Sequence, residues 1–151
     1  MKTIVVGYDG SEAGERALAR AAELAEAFSA GLVVVSVSAY EPTPVDPTAG
    51  LVLSAPAMTV PVPDAETPEP EELAQQQLER ARRSLAGRRI DGEYVAELGD
   101  PAERLLEVAE SRDADLIVVG SREHGFLERL LGHPVDEAVA RRFERDVLLV
   151  H

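Results

Sequence analysis

A chain of 151 residues, 45% hydrophobic and 28% charged, has the size and balance of a single globular domain spanning 1–151. A net charge of −13 argues against non-specific binding to nucleic acid or anionic lipid, and the lack of cysteine excludes disulfides, thiolate metal sites and cysteine nucleophiles. No apolar run approaches the roughly 18 residues that span a bilayer, and no secretory leader precedes the first strand, so a cytoplasmic, non-membrane protein is expected.

Thr3-Ile4-Val5-Val6-Gly7 is short, apolar and β-branched, and predicts a buried strand. Tyr8-Asp9-Gly10-Ser11 is a turn, with Ser11 placed to cap a helix. From Glu12 to Ala30 apolar residues recur at helical spacing, and Gly31 stands where a helix commonly stops. Leu32 to Val37 predicts a second buried strand. Ala39 to Pro70 then holds eight of the ten prolines and no lysine or arginine, which reads as a long loop insertion.

Helical spacing returns from Glu71 to Ala86, with Leu73, Leu78, Ala81 and Leu85 on the apolar side. Arg80, Arg82, Arg83, Arg88 and Arg89 gather near its end, where cations complement the helix dipole. That reading is favoured over an anion-binding patch. Ile90 to Leu98 alternates in the manner of an edge strand. Asp100 and Pro101 open a third helix, as cap and first residue, which runs to about Arg112. Asp115 to Val119 is the fourth strand, Pro134 to Phe143 a fourth helix, and Asp146 to Val150 the last strand.

Strands alternating with helices predict an α/β fold, a parallel sheet with helices on both faces. Ligands in such sheets bind beyond the carboxyl ends of the strands, where strand order reverses. The ends of the first and fourth strands, Gly7-Tyr8-Asp9 and Gly120-Ser121-Arg122, are therefore expected to face each other.

Three blocks carry a resemblance: VVGYDGSE (5–12), GDPAERLLEVAE (99–110) and ADLIVVGSREHGFLERLLGHPVDEAV (114–139). In order and spacing the chain resembles the universal stress protein family. The resemblance implies a three-layer, adenine nucleotide alpha hydrolase-like fold with five parallel strands in the order 3-2-1-4-5. It also implies a homodimer through the last strand, here Val147, Leu148, Leu149 and Val150. A short apolar edge strand would itself invite such pairing.

Some members of that family bind ATP and others do not. The ATP pattern is Gly, two residues, Gly, nine residues, Gly, then Ser or Thr. Here Gly120 supplies the first glycine, while Glu123, His133 and Pro134 fall on the other three positions. By the same resemblance Asp9 matches the aspartate beside ribose and metal, and Val37 the residue whose backbone meets adenine. Val119 and Val135 match positions lining the base and phosphates.

The departures have physical consequences of their own. Phosphate in such a loop is held by backbone N–H groups and small hydroxyls. Pro134 has neither. Glu123 brings a carboxylate toward a polyanion. Two unit charges about 4 Å apart at an effective dielectric of about 20 repel by roughly 4 kcal/mol, about a thousandfold in affinity. His133 and Arg122 offer compensating cations, and magnesium between Asp9, Glu123 and phosphate would rescue ATP. Each residue also reads plainly: Asp9 as a turn closure or cap, Gly120 as a requirement of the strand-to-helix turn, Glu123 as a solvated charge, His133 as a cap.

The sequence therefore favours a non-catalytic stress-response binding or signalling protein without tight ATP binding and without an obligatory cofactor. The alternative is an ATP- or AMP-binding switch with at most slow hydrolysis and magnesium as cofactor. A phosphoryl receiver lacks its lysine near the last strand, since Lys2 is the single lysine. No Gly-Lys-Ser/Thr element or nucleophile elbow occurs.

Overall fold

The computed structural model describes residues 1–38, 68–120 and 145–151. Among them, strands β1 (Thr3–Gly7), β2 (Gly31–Ser38), β3 (Gly92–Leu98), β4 (Leu116–Gly120) and β5 (Asp146–Val150) form one sheet in the order β3-β2-β1-β4-β5. Every neighbouring pair is parallel. This is the expected α/β architecture and strand order. Three helices are described: α1 (Glu12–Phe28), α2 (Pro70–Ser84) and α3 (Pro101–Ser111). Most of the proline-rich loop (39–67) and the helix predicted over Pro134–Phe143 lie outside the described residues.

The central strand is the most apolar, as a strand covered on both faces must be. Ile4, Val5 and Val6 of β1 are wholly buried. One face carries Ile4, Val6, Leu32 and Val34 against Ala17, Leu18 and Ala21 of α1 and Leu78 and Ala81 of α2. The other carries Val5, Val33, Val35, Ile117 and Val119 against Leu105, Val108 and Ala109 of α3. The side of α1 that meets the sheet is mostly alanine, so its backbone can approach the strands closely.

Helix starts follow the sequence. Ser11 caps α1 by accepting a hydrogen bond from the Gly14 N–H at 3.0 Å. Asp100 caps α3 by accepting from Ala102 and Glu103 N–H, both at 3.0 Å, with Pro101 first in the helix. Strand β3 lies at the sheet edge, as its alternation predicts.

Several boundaries differ by one or two residues, including α2, which ends at Ser84 rather than Ala86, and β4, which spans Leu116–Gly120 rather than Asp115–Val119. Helix α1 ends at Phe28 rather than Ala30, with Ser29 in the left-handed region (φ 51°) and its N–H turned to the carbonyls of Ala25 and Glu26. Gly31 is no terminator; it opens β2 in register with Thr3 and donates to the Lys2 carbonyl at 2.8 Å. The chain must be extended by residue 31 to pair with β1, which moves the cap back to Ser29. Strand β3 starts at Gly92 rather than Ile90 because its partner strand starts at Gly31, leaving nothing for Ile90 to pair with; Ile90 packs on the core instead. Pro70, assigned to the loop, is the first residue of α2, where its missing N–H costs nothing.

Two carboxylates tie the ends of the fold. Asp115 accepts from the Lys2 and Thr3 N–H groups at 2.6 and 3.0 Å, and these bonds hold its carboxyl below the usual range. Glu93 on β3 takes a forked hydrogen bond from Arg112 beyond α3, which likewise holds its carboxyl low. A depressed folded-state pKa gives stability that is present above the unfolded carboxylate range and lost as pH falls through the folded value. The protein should therefore lose stability below about pH 4. The double variant Asp115→Asn with Glu93→Gln should show a flatter fall in urea midpoint between pH 6 and pH 3 than the parent. An equal fall in both would refute the assignment.

Candidate functional site

The carboxyl ends of β1 and β4 lie side by side, as expected. Val6 is in register with Val118, and a Cβ added to Gly7 would meet the Val119 side chain at 3.5 Å. On the other side, Tyr8 N–H donates to the Val35 carbonyl of β2 at 2.8 Å. The strand order thus brings Asp9, Val37, Val119 and Gly120 to one end of the sheet. Val119 is buried and Val37 half-buried, both in the cluster beneath α3.

Asp9 closes its own turn. Its Oδ1 accepts from Ser11 N–H at 2.9 Å and from Ser11 Oγ at 2.5 Å, and Ser11 in turn caps α1. Gly14 makes this possible, since a Cβ there would stand 2.6 Å from Asp9 Oδ1. Gly120 has an equally physical reason. A Cβ on it would lie 2.5 Å from the carbonyl carbon of Ala13 and 3.0 Å from its Cβ, so β4 ends directly against the first turn of α1. The plainer readings of Asp9 and Gly120 therefore have direct geometric support.

Arg122, Glu123, His133, Pro134 and Val135 lie outside the described residues, so the described geometry is that of the β1 and β2 side of the cleft. Among the described residues no group of three or more His, Cys, Asp or Glu side chains is placed to hold a metal ion. No described helix is long and apolar enough to cross a membrane. On β5, Val147, Leu148, Leu149 and Val150 are half-buried, and one edge of the strand pairs with β4.

Sequence reasoning missed a polar network behind the turn. Tyr8 is buried, and its hydroxyl donates to Glu15 Oε1 at 2.6 Å. Burial first, then this bond and the Glu15 charge, push the phenol well above its ordinary pKa. Glu15 also forms an ion pair with Arg80 Nε at 3.1 Å and accepts from Ser84 Oγ at 3.2 Å, both on α2. Nearby, Ser36 Oγ donates to Gln77 Oε1 at 2.5 Å, and Gln77 Cγ lies 3.6 Å from where a Cβ on Gly10 would stand. An open hollow of about 710 Å³ separates the turn from α2, bordered by Asp9, Gly10, Leu73, Gln77, Arg80 and Arg83. The signal in the sequence was a tyrosine beside the site aspartate in a chain with few aromatics.

Three arginines of the cluster are engaged by side chains on or beyond their own helix, rather than simply facing the helix end. Arg80 pairs with Glu15, Arg82 with Glu79 while lying over the Tyr94 ring at 4.6 Å, and Arg88 with Glu26.

Comparison with known proteins gives a consistent result. The family model described as "Universal stress protein family" matches residues 1–151. The stress response protein NhaX of Bacillus subtilis is 32% identical over 159 residues, covering 97% of this chain and 96% of its own. A universal stress protein of Mycobacterium tuberculosis is 36% identical over 151 residues, covering 99% and 96%. Among solved structures, a universal stress protein in complex with cAMP is 32% identical, with TM-score 0.65, covering 99% of this chain and 97% of that one. A family protein from Burkholderia pseudomallei is 27% identical, with TM-score 0.62, covering 99% and 95%. With fold, strand order and these relatives in agreement, the chain belongs to the universal stress protein family.

Proposed function

We propose that this protein is a non-catalytic stress-response binding protein, a single domain over 1–151, whose cleft does not hold ATP tightly. The observation that carries the reading is the set of residues after Gly120. In the ATP pattern the chain resembles, Glu123 and His133 occupy glycine positions and Pro134 the Ser/Thr position, so a carboxylate and a ring are added while an N–H and a hydroxyl are lost. The retained Gly120 and Asp9 do not weigh against it, because each has a role in packing or in its turn. The half-buried apolar β5 supports self-association through Val147, Leu148, Leu149 and Val150.

A second reading is favoured by one observation: a relative 32% identical to this chain forms a complex with cAMP. A ligand with a single phosphate meets less of the repulsion that opposes ATP. In this reading the cleft takes an adenosine monophosphate, with Asp9 and Val37 on the nucleoside side and the charge of Arg122 as a compensating cation.

Thermal unfolding with each ligand separates the two. A ligand at a hundred times its dissociation constant stabilises by about 2.7 kcal/mol, which raises Tm by roughly 5–10 °C for a chain of this size. Millimolar ATP with magnesium should give no shift; a clear shift overturns the first reading. A shift with cAMP or AMP alone selects the second. A released-phosphate assay with ATP should stay at background, and sustained turnover would refute the non-catalytic assignment.

A further inference from the structure

Helix α2 faces the turn that carries Asp9 across the open hollow and bonds to residues on either side of it. Gln77 of α2 lies beside Gly10, its Cγ 3.6 Å from where a Cβ on that glycine would stand, and accepts a hydrogen bond from Ser36 of β2. Arg80 and Ser84, one turn of helix apart, both engage Glu15, and Glu15 accepts the hydroxyl of the buried Tyr8, the residue before Asp9. Tyr8 is only 2% exposed, so its ring has no room to swing independently of the strand it ends. Glu15 belongs to the first turn of α1, the turn that Ser11 caps and that Asp9 completes. The chain of contacts from Arg80 to Asp9 is therefore continuous: ion pair, hydrogen bond, then one peptide link.

We infer that Arg80 is a positioning residue for the Asp9 turn, acting through Glu15 and Tyr8, so that α2 sets the geometry of the cleft's rim without touching a ligand. Arg80 neutralises Glu15 and fixes its carboxylate where the Tyr8 hydroxyl meets it. Without Arg80, Glu15 keeps two neutral donors, the Tyr8 and Ser84 hydroxyls, and its carboxylate is drawn outward toward water. The Tyr8 hydroxyl is then less firmly held, and the turn loosens from the first turn of α1. Arg83 borders the same hollow on the same helix and takes no part in this chain of contacts, which makes it the natural control. The bearing of this coupling on affinity rests on the reading that the cleft takes a ligand; the coupling itself does not.

Amide hydrogen exchange of the full chain, without ligand, tests it at Ser11, Gly14 and Glu15. Tyr8→Phe should speed exchange there roughly tenfold, the loss of a hydrogen bond to a charged group. Arg80→Ala should speed it about threefold, Arg80→Lys should restore most of the protection, and Arg83→Ala should match the parent. In the Tyr8→Phe background Arg80→Ala should add nothing, because both act on one path. Equal exchange in Arg80→Ala and Arg83→Ala, or additive effects in the double variant, would overturn the inference. A ligand arm uses cAMP: if the parent binds it, Arg80→Ala should weaken binding about threefold while Arg83→Ala does not. A parent that binds neither ATP nor cAMP removes the second functional reading, and the exchange result then decides this one alone.

Discussion

Replacing Glu123 by glycine, His133 by glycine and Pro134 by serine together should raise affinity for ATP with magnesium by about a thousandfold over the parent. Most of that gain comes from removing the Glu123 carboxylate, because a full charge facing a triphosphate outweighs one missing neutral donor. Glu123→Gln alone should therefore recover more affinity than Pro134→Ser alone. Isothermal titration of these variants and the parent at fixed ionic strength provides the check. If the triple variant binds no better than the parent, these side chains do not block the cleft and the main functional proposal loses its ground. If Pro134→Ser recovers most of the gain by itself, the obstacle is the lost N–H and hydroxyl and the charge argument fails.

The second large effect is on stability. Gly120→Ala would push a methyl group into the backbone of Ala13, whose carbonyl carbon stands 2.5 Å from the position it would take. Helix α1 cannot retreat without lifting Ala17 and Ala21 from the sheet. Overpacking of this kind costs about 1–3 kcal/mol, a Tm loss of roughly 2–12 °C at this length. Because the clash is with main-chain atoms, adding Ala13→Gly should not rescue the variant. Unfolding with urea gives the comparison, and a neutral Gly120→Ala would mean that β4 and α1 are not in the tight contact described.

The framework was legible in the sequence for definite reasons. Thr3–Gly7 and Leu116–Gly120 announce themselves because strands buried on both faces need unbroken β-branched runs. Ser11, Asp100 and Pro101 mark helix starts through local hydrogen bonds and a fixed φ, which need no tertiary knowledge. Boundaries set by a partner strand were not legible. Ser29 ends α1, and Gly92 begins β3, because β2 starts where it does. No window of sequence around either residue contains that information.

The site divides in the same way. The meeting of Gly7-Tyr8-Asp9 with the end of β4 followed from topology alone. The reason for Gly120 did not, since it depends on a helix backbone more than a hundred residues earlier in the chain. The link from Tyr8 through Glu15 to Arg80 was equally hidden. Arg80 looked like one of several cations at a helix end, and only packing reveals that it reaches across to α1.

The contact between Gly120 and Ala13 bears on how such chains are read. Gly120 is held to glycine by the first turn of a neighbouring helix, whatever the cleft binds. A glycine that a neighbouring helix requires is therefore no proof, by itself, of nucleotide use.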